Sequence, residues 1–151
     1  MRRPGRDRGV LLALAIVAVI LAFALGLAFG NAAADTACIP GPRDPSGIFV
    51  NLDDTRNAEA IDHVRDAVAN GQPRVLHWDP ADAAAHRKAS LRGVATAPGK
   101  DRDEYPPAAS EEGGAGADVR LISSSDNRSA GSRMNAQMSA YCPGTRFLLE
   151  P

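Results

Sequence analysis

Little in this chain is abundant enough to classify it at sight. Two cysteines are too few for a disulfide-dense miniprotein or for a zinc site of four thiolates. Aromatic residues make up only 5% of the chain, and basic and acidic residues balance at 17 against 18, for a formal charge of −1. The basic excess from which an argument for a nucleic-acid binder usually starts is therefore missing. There is no Gly-x-Ser-x-Gly nucleophile elbow and no glycine-rich phosphate loop, so hydrolases built on those devices are poor candidates. The three histidines, His63, His77 and His86, show no His-x-x-x-His spacing, and no Cys-x-x-Cys accompanies them. They read as surface or core histidines rather than as a zinc site. A length of 151 residues allows one modest domain, and no internal repeat divides it.

What the chain does have is unevenly placed. Arg2, Arg3, Arg6 and Arg8 precede an uncharged, proline-free apolar run from Val10 to Phe29, followed by Asn31-Ala32-Ala33-Ala34-Asp35. A basic flank, an apolar core and an Ala-x-Ala site make a secretory signal with cleavage after Ala34. The run of 20 residues is also long enough to span a bilayer, which leaves an uncleaved anchor with its basic end cytoplasmic as the alternative. Lipid attachment at Cys38 is disfavoured, because Asp35 and Thr36 stand where small and apolar residues are needed. Every version delivers the remainder outside the cytoplasm. The expected organisation is a signal or membrane anchor over 1–34, a Pro/Gly-rich linker or leading arm over 35–54, and a domain over 55–151. Removing 1–34 takes away four basic residues and one acid, leaving 117 residues with 13 positive and 17 negative charges, a net −4. In an exported chain two unpaired thiols are improbable, so Cys38 and Cys142 are expected to pair. That bridge would close a loop of about 100 residues, worth up to ~4–5 kcal/mol in the chain-entropy model.

Periodicity within the exported part predicts an α+β fold. Ile48, Val50 and Leu52 alternate as in a short strand. Ala60, Ile61, Val64, Ala67 and Val68 fall at helical spacing over Asn57–Asn70, with Asn57 as a cap and Asn70-Gly71-Pro73 as a stop. Arg74–Trp78 reads as a strand, and Asp82–Leu91 as a helix ended by Gly93. Ala117–Ile122 reads as a strand, Ser129–Tyr141 as a helix with Met134, Met138 and Tyr141 on one face, and Thr145–Leu149 as a closing strand.

Chemistry concentrates between Lys100 and Asn135. Asp101-Arg102-Asp103-Glu104-Tyr105-Pro106 places three carboxylates and an arginine in four residues. In extended backbone Asp101 and Asp103 share one face, Arg102 and Glu104 the other. Glu111-Glu112-Gly113-Gly114 reads as a turn into the next strand, and Ser123-Ser124-Ser125-Asp126-Asn127-Arg128 leads into a helix carrying Asn135. Carboxylate and amide oxygens are hard ligands that suit Mg²⁺, Mn²⁺ or Ca²⁺. Arginine forks at Arg102, Arg128 and Arg133 suit bidentate contact with phosphate oxygens. On chemistry alone such a run is more often a solvated loop.

The longer strings shift that balance. Asp101 to Pro106, then Glu111-Glu112-Gly113-Gly114-x-Gly116-Ala117-Asp118-Val119-Arg120, then Ser124-Ser125-Asp126-Asn127-Arg128-x-Ala130-Gly131-Ser132 together resemble the NucA/NucB family of secreted bacterial deoxyribonucleases. The resemblance extends through Ser90-Leu91-Arg92-Gly93 and Pro98-Gly99 upstream and Gly144-Thr145-Arg146-Phe147 downstream, covering about residues 55–150. It implies a small, metal-dependent, non-specific endonuclease with a ββα-metal (His-Me finger-like) core, acting on DNA. Related nucleases carry Asp-Arg-Gly-His with the histidine as general base; here Asp101-Arg102-Asp103-Glu104 means a carboxylate must take that role. The family pattern points to Asp103, simple alignment with the histidine slot to Glu104, and Asp103 is the first choice. By the same resemblance Asn135 on the following helix is the expected metal ligand, with Asn127 either binding the ion or ordering the loop. Glu111, Glu112 and Asp126 are candidates to support the site from behind, although Glu111 and Glu112 equally suit a turn and Asp126 or Asn127 a helix cap.

Three departures stand out. Tyr105 stands where family members commonly have Trp, Ser110 where they have cysteine, and Leu76 apparently at a second cysteine position. Losing both cysteine positions together fits the loss of one bridge, with Cys38–Cys142 as a replacement crosslink. The resulting expectation is an exported endonuclease, acting as a monomer on DNA, with Mg²⁺ or Mn²⁺ favoured over Ca²⁺. Its rival is a non-catalytic, membrane-tethered binding module on the same scaffold. The sequence names no inhibitor.

Overall fold

Ala60, Ile61, Val64 and Ala67 recur at helical spacing and become the buried face of α1, Ala58–Ala69. Fully burying side chains such as Ile61 and Val64 contributes about 1.5–3 kcal/mol each. The computed structural model describes residues 37–150 except Pro45 and Asp54. The apolar run at residues 10–29 and the proposed cleavage site lie outside the described residues. The other elements are β1 (Ile48–Asn51), β2 (Leu76–His77), α2 (Ala83–Ser90), β3 (Lys100–Tyr105), β4 (Asp118–Ser123), α3 (Ser124–Met138) and β5 (Arg146–Glu150). This is the α+β mixture that the periodicity predicts.

Two small sheets organise these elements. In the first, β5 is central, parallel to β1 through Ile48↔Phe147 and antiparallel to β2 through Leu76↔Phe147. Its inner side chains Val50, Leu76 and Phe147 are buried with Trp78, whose ring meets Phe147 edge-on at 6.3 Å between centroids. The second sheet is the β3–β4 hairpin, in register from Lys100↔Ser123 to Tyr105↔Asp118, and α3 follows it without a connecting loop. Contacts of α1 with α3, β3 and β4 place the hairpin's carboxylates beside the helices.

The Pro/Gly-rich stretch is built into this unit rather than trailing from it. Ile39 donates its amide to the Ala140 carbonyl at 2.8 Å and accepts from the Cys142 amide at 2.9 Å. Cys38 and Cys142 are disulfide-bonded as expected, with Cα atoms 4.8 Å apart. Strand β1 also comes from this stretch, so the described unit runs from residue 37 and not from 55. Ser110 and Leu76, the two positions at which the resemblance implies cysteines, are both fully buried. Their segments are joined by the Trp78↔Ser110 bridge and by the Glu111 amide donating to the His77 carbonyl.

Two helix starts differ from expectation. Helix α3 begins at Ser124, five residues before Ser129, because the Ser123 hydroxyl accepts the Asp126 amide and caps it. Asp126 and Asn127 therefore lie in its first turn and do not precede it. Asn57 does occupy the N-cap position of α1, yet its side chain makes no capping bond. The cap comes from another element: the Asp126 carboxylate accepts from the amides of Glu59 (2.9 Å) and Ala60 (3.2 Å). Asn57 instead donates its side-chain amide to the Asp126 carbonyl at 2.9 Å. The first turns of α1 and α3 are thus locked together through a buried carboxylate, which is favourable at a helix N-terminus by about 0.5–2 kcal/mol.

Candidate active site

Strand geometry sorts the run from Asp101 to Tyr105 onto two faces, and the partners of each side chain follow that sorting. On one face the Asp101 carboxylate accepts from the Ser124 hydroxyl at 2.8 Å and from Arg128 Nε at 2.9 Å. Asp103 Oδ2 lies 2.7 Å from His63 Nδ1. Tyr105 is buried, and its hydroxyl donates to the Pro73 carbonyl. On the other face Arg102 donates to the Leu91 and Val94 carbonyls, holding the loop after α2. Glu104 accepts from the Ser90 hydroxyl at 2.7 Å and from Arg87 at 3.5 Å.

These side chains border a cavity of about 530 Å³, into whose lining α3 brings Asn127, Arg128 and Gly131 and α2 brings Arg87. Gly131 leaves the helix surface bare there: a Cβ at that position would meet nothing within 4 Å. The wall therefore carries three carboxylates (Asp101, Asp103, Glu104), one amide (Asn127) and cations from Arg87, Lys100, Arg102 and Arg128. A basic rim over an acidic strand suits a phosphate-bearing ligand, since guanidinium forks bind phosphate oxygens in pairs.

The electrostatics differ from one carboxylate to the next. The Arg128 guanidinium, and then the Ser124 hydroxyl, hold Asp101 below the usual carboxylate range, and Arg128 is raised in return. Lys100, and then the Ser123 amide, do the same to Glu59, tying α1 to the hairpin. Burial pushes Tyr105 up to about 12, so its hydroxyl stays neutral and serves as a fixed donor. Both oxygens of Glu104 have partners, and its side chain is only 8% exposed. Asp103 is different. Only its Oδ2 has a hydrogen-bond partner among the described residues, and it is the one cavity carboxylate with an oxygen left unengaged.

Among the described residues no three His, Cys, Asp or Glu side chains converge as a metal cage. The oxygen chemistry of the wall nevertheless suits a hydrated hard cation. Mg²⁺ commonly takes one or two protein oxygens and completes its shell with water and substrate phosphate. With Asp101 engaged by Ser124 and Arg128, and Glu104 by Ser90 and Arg87, the wall oxygens outside those pairs are Asp103 Oδ1 and the amide oxygen of Asn127.

The remaining candidates lie elsewhere. Asn135 is exposed, two turns beyond Asn127 on α3 and outside the cavity lining. Arg133 pairs with Asp53 in the loop after β1. Glu112 grips β2, accepting from the His77 amide at 3.0 Å and lying 2.6 Å from His77 Nδ1. Burial raises the Glu112 carboxyl, but the bonds from His77 outweigh it and leave the group lowered. Glu111 is exposed beside it, and Asp126 is the buried cap of α1.

Three contributors escaped the sequence reading. His63 is fully buried, with Nδ1 on Asp103 and Nε2 3.1 Å from Asp118 Oδ1. Arg87 and Ser90 of α2 fix Glu104. For His63 a signal was present: it falls within the Ala60–Ile61–Val64–Ala67 stripe, and a polar group on a buried face needs partners.

The fold and cavity can be set beside known proteins. The family model described as Deoxyribonuclease NucA/NucB matches residues 64–149 of this chain. A DNA-entry nuclease of Bacillus subtilis (strain 168) is 41% identical over 93 residues, covering 62% of this chain and 63% of the relative. The match thus spans less than two thirds of that relative's length.

Proposed function

This chain belongs to the NucA/NucB deoxyribonuclease family, and from that premise we propose that it is an exported, divalent-metal-dependent endonuclease hydrolysing DNA phosphodiesters with little sequence specificity. The observation that carries the reading is Asp103: a cavity carboxylate with one oxygen held by His63 and the other unengaged, beside Asn127 and Arg128. The order β3–β4–α3 supports a ββα-metal core. The Cys38–Cys142 bridge supports an oxidising compartment, in keeping with a leader over residues 1–34 that is cleaved or retained as an anchor. The enzyme acts as a monomer in this reading.

In the mechanism a phosphodiester enters the cavity with its oxygens against Arg128 and Arg87 on the rim. Arg102 keeps the loop after α2 in place through two carbonyls. Asp103 Oδ1 accepts a proton from the attacking water as general base. Glu104, engaged by Ser90 and Arg87, steadies Arg87 and is the second choice for the base. Asn127 would hold the divalent ion, Mg²⁺ or Mn²⁺. Such an ion, when bound, stabilises the charge that develops on the phosphate and the leaving oxygen.

The test is plasmid nicking by the purified full chain with Mg²⁺ or Mn²⁺, with and without EDTA. Asp103→Asn is expected to slow nicking by about 10²–10⁴-fold, the usual contribution of a general base. Asn127→Ala is expected to raise the metal concentration needed for half-maximal rate, while Asn135→Ala matches the unmutated chain. Absence of nicking with every metal overturns the nuclease reading. Equal rates for Asp103→Asn and the unmutated chain overturn the assignment of the base.

A further inference from the structure

The mechanism leaves the buried, ionisable side chain of His63 unused. His63 projects from α1 with both ring nitrogens on carboxylates of the hairpin: Nδ1 at 2.7 Å from Asp103 Oδ2 and Nε2 at 3.1 Å from Asp118 Oδ1. The ring is fully buried, while the Asp103 and Asp118 side chains are 18% and 39% exposed. No other ionisable side chain hydrogen-bonds to it among the described residues; Asp66 of α1 and Arg120 of β4 pair with each other. A neutral imidazole has one N–H and can donate to one of these carboxylates, whereas the doubly protonated ring donates to both. In the doubly protonated form the ring cannot rotate without giving up a bond at each end, and in the neutral form rotation gives up its one bond. Asp103 lines the cavity and Asp118 does not, so the ring is braced from behind by a carboxylate of β4.

We propose that His63 is a positioning residue for Asp103: braced by Asp118, its Nδ1 fixes Asp103 Oδ2 and thereby aims Oδ1 at the attacking water. This rests on the reading of Asp103 as the general base. A carboxylate on an open strand would otherwise sample several χ rotamers, and displacement of a reacting group by about 1 Å can cost 10²-fold in rate. The rest of the arrangement fits that purpose. Asp101, on the same face of β3, is held by Ser124 and Arg128 and cannot substitute, and Glu104 leaves the strand on the other face.

The experiment measures kcat and KM for DNA cleavage by the full chain and by His63→Leu, His63→Gln and Asp118→Asn. His63→Leu removes both ring nitrogens and is expected to lower kcat by about 10–100-fold with KM unchanged, as loss of alignment does and loss of binding does not. His63→Gln restores an N–H donor toward Asp103 and is expected to recover part of that loss. Combined with Asp103→Asn, His63→Leu is expected to cause no further drop, because a residue acting through another has nothing left to act on. Asp118→Asn changes a half-buried position and tests the brace even if the His63 variants fold poorly; kcat is expected to fall severalfold at constant KM. Unchanged kcat in Asp118→Asn and the folded His63 variants overturns the proposal, as does a full additive loss in the Asp103→Asn background. An unmutated chain without nuclease activity overturns the nuclease reading and this proposal with it, whereas an active chain insensitive to His63 overturns this proposal alone.

Discussion

Asp101 and Asp103 have the same residue type, strand and face, and they do different things because their neighbours differ. Arg128 and Ser124 engage Asp101 on both oxygens, while His63 engages Asp103 on one. The pair with Arg128 is exposed, the arginine side chain at 76%, so its effect on stability is small and easily screened. Its sign is nonetheless fixed. The Asp101 carboxyl titrates below its ordinary 3.8 in the folded chain. Its stabilising contribution is complete above that ordinary value and is lost as pH falls through the lower folded value. Asp53, lowered chiefly by the Thr55 hydroxyl, and Glu59, lowered chiefly by Lys100, act in the same direction. Thermal melts between pH 5 and about 2 should therefore show falling stability on acidification. Asp101→Asn should flatten that fall relative to the unmutated chain. A steeper fall in Asp101→Asn would contradict the assignment.

At the scale of elements, the junction of α1 and α3 shows how far sequence reading reaches. Removing the Asp126 carboxylate leaves the Glu59 and Ala60 amides at the start of α1 uncapped. Asp126→Ala should cost about 1–2 kcal/mol in chemical denaturation, above the usual ±0.5 kcal/mol for a surface change. Asn57→Ala should also destabilise, through loss of its bond to the Asp126 carbonyl rather than through loss of a cap. The periodicity of Ala60, Ile61, Val64 and Ala67 was enough to bound α1 within a residue or so. The start of α3 was hidden, because its buried stripe runs Asp126, Ala130, Met134, Met138 and its first member is a carboxylate. An apolar count cannot see a helix whose opening turn is polar, and a local reading cannot see a cap that arrives from 67 residues away. The division of Asp103 from Glu104 was legible because extended backbone sends successive side chains to opposite faces, whatever their polarity. His63 was not, since its partners lie 40 and 55 residues distant and only the fold brings them together.

For the whole molecule, the two features that stood out by scarcity, cysteine and net charge, turn out to matter through placement. The single disulfide joins residues separated by 104 positions, and Ile39 lies against Tyr141 beside it. In the chain-entropy model a loop of that size contributes up to about 4.7 kcal/mol. Replacing both cysteines by serine should lower the unfolding free energy by several kcal/mol, read from chemical denaturation, while the Ile39 backbone bonds persist, a difference that reduction of the unmutated chain should reproduce. Charge works the same way. The cavity cations are individually committed: Arg128 to Asp101, Arg87 to Glu104, Lys100 to Glu59 and Arg102 to two carbonyls. Each phosphate contact must therefore displace or share an existing partner, and few counterions are released when DNA binds. Binding affinity falls with log salt at a slope of about −0.9 per phosphate neutralised, so two or three effective contacts predict a slope of about −2 to −3. That slope, read from KM for duplex DNA at constant metal concentration, should become shallower by about one in Arg128→Ala, because one phosphate contact is gone. It should stay unchanged in Arg133→Ala, whose partner Asp53 lies away from the cavity. A slope much steeper than −3 would mean that DNA tracks cations beyond this rim.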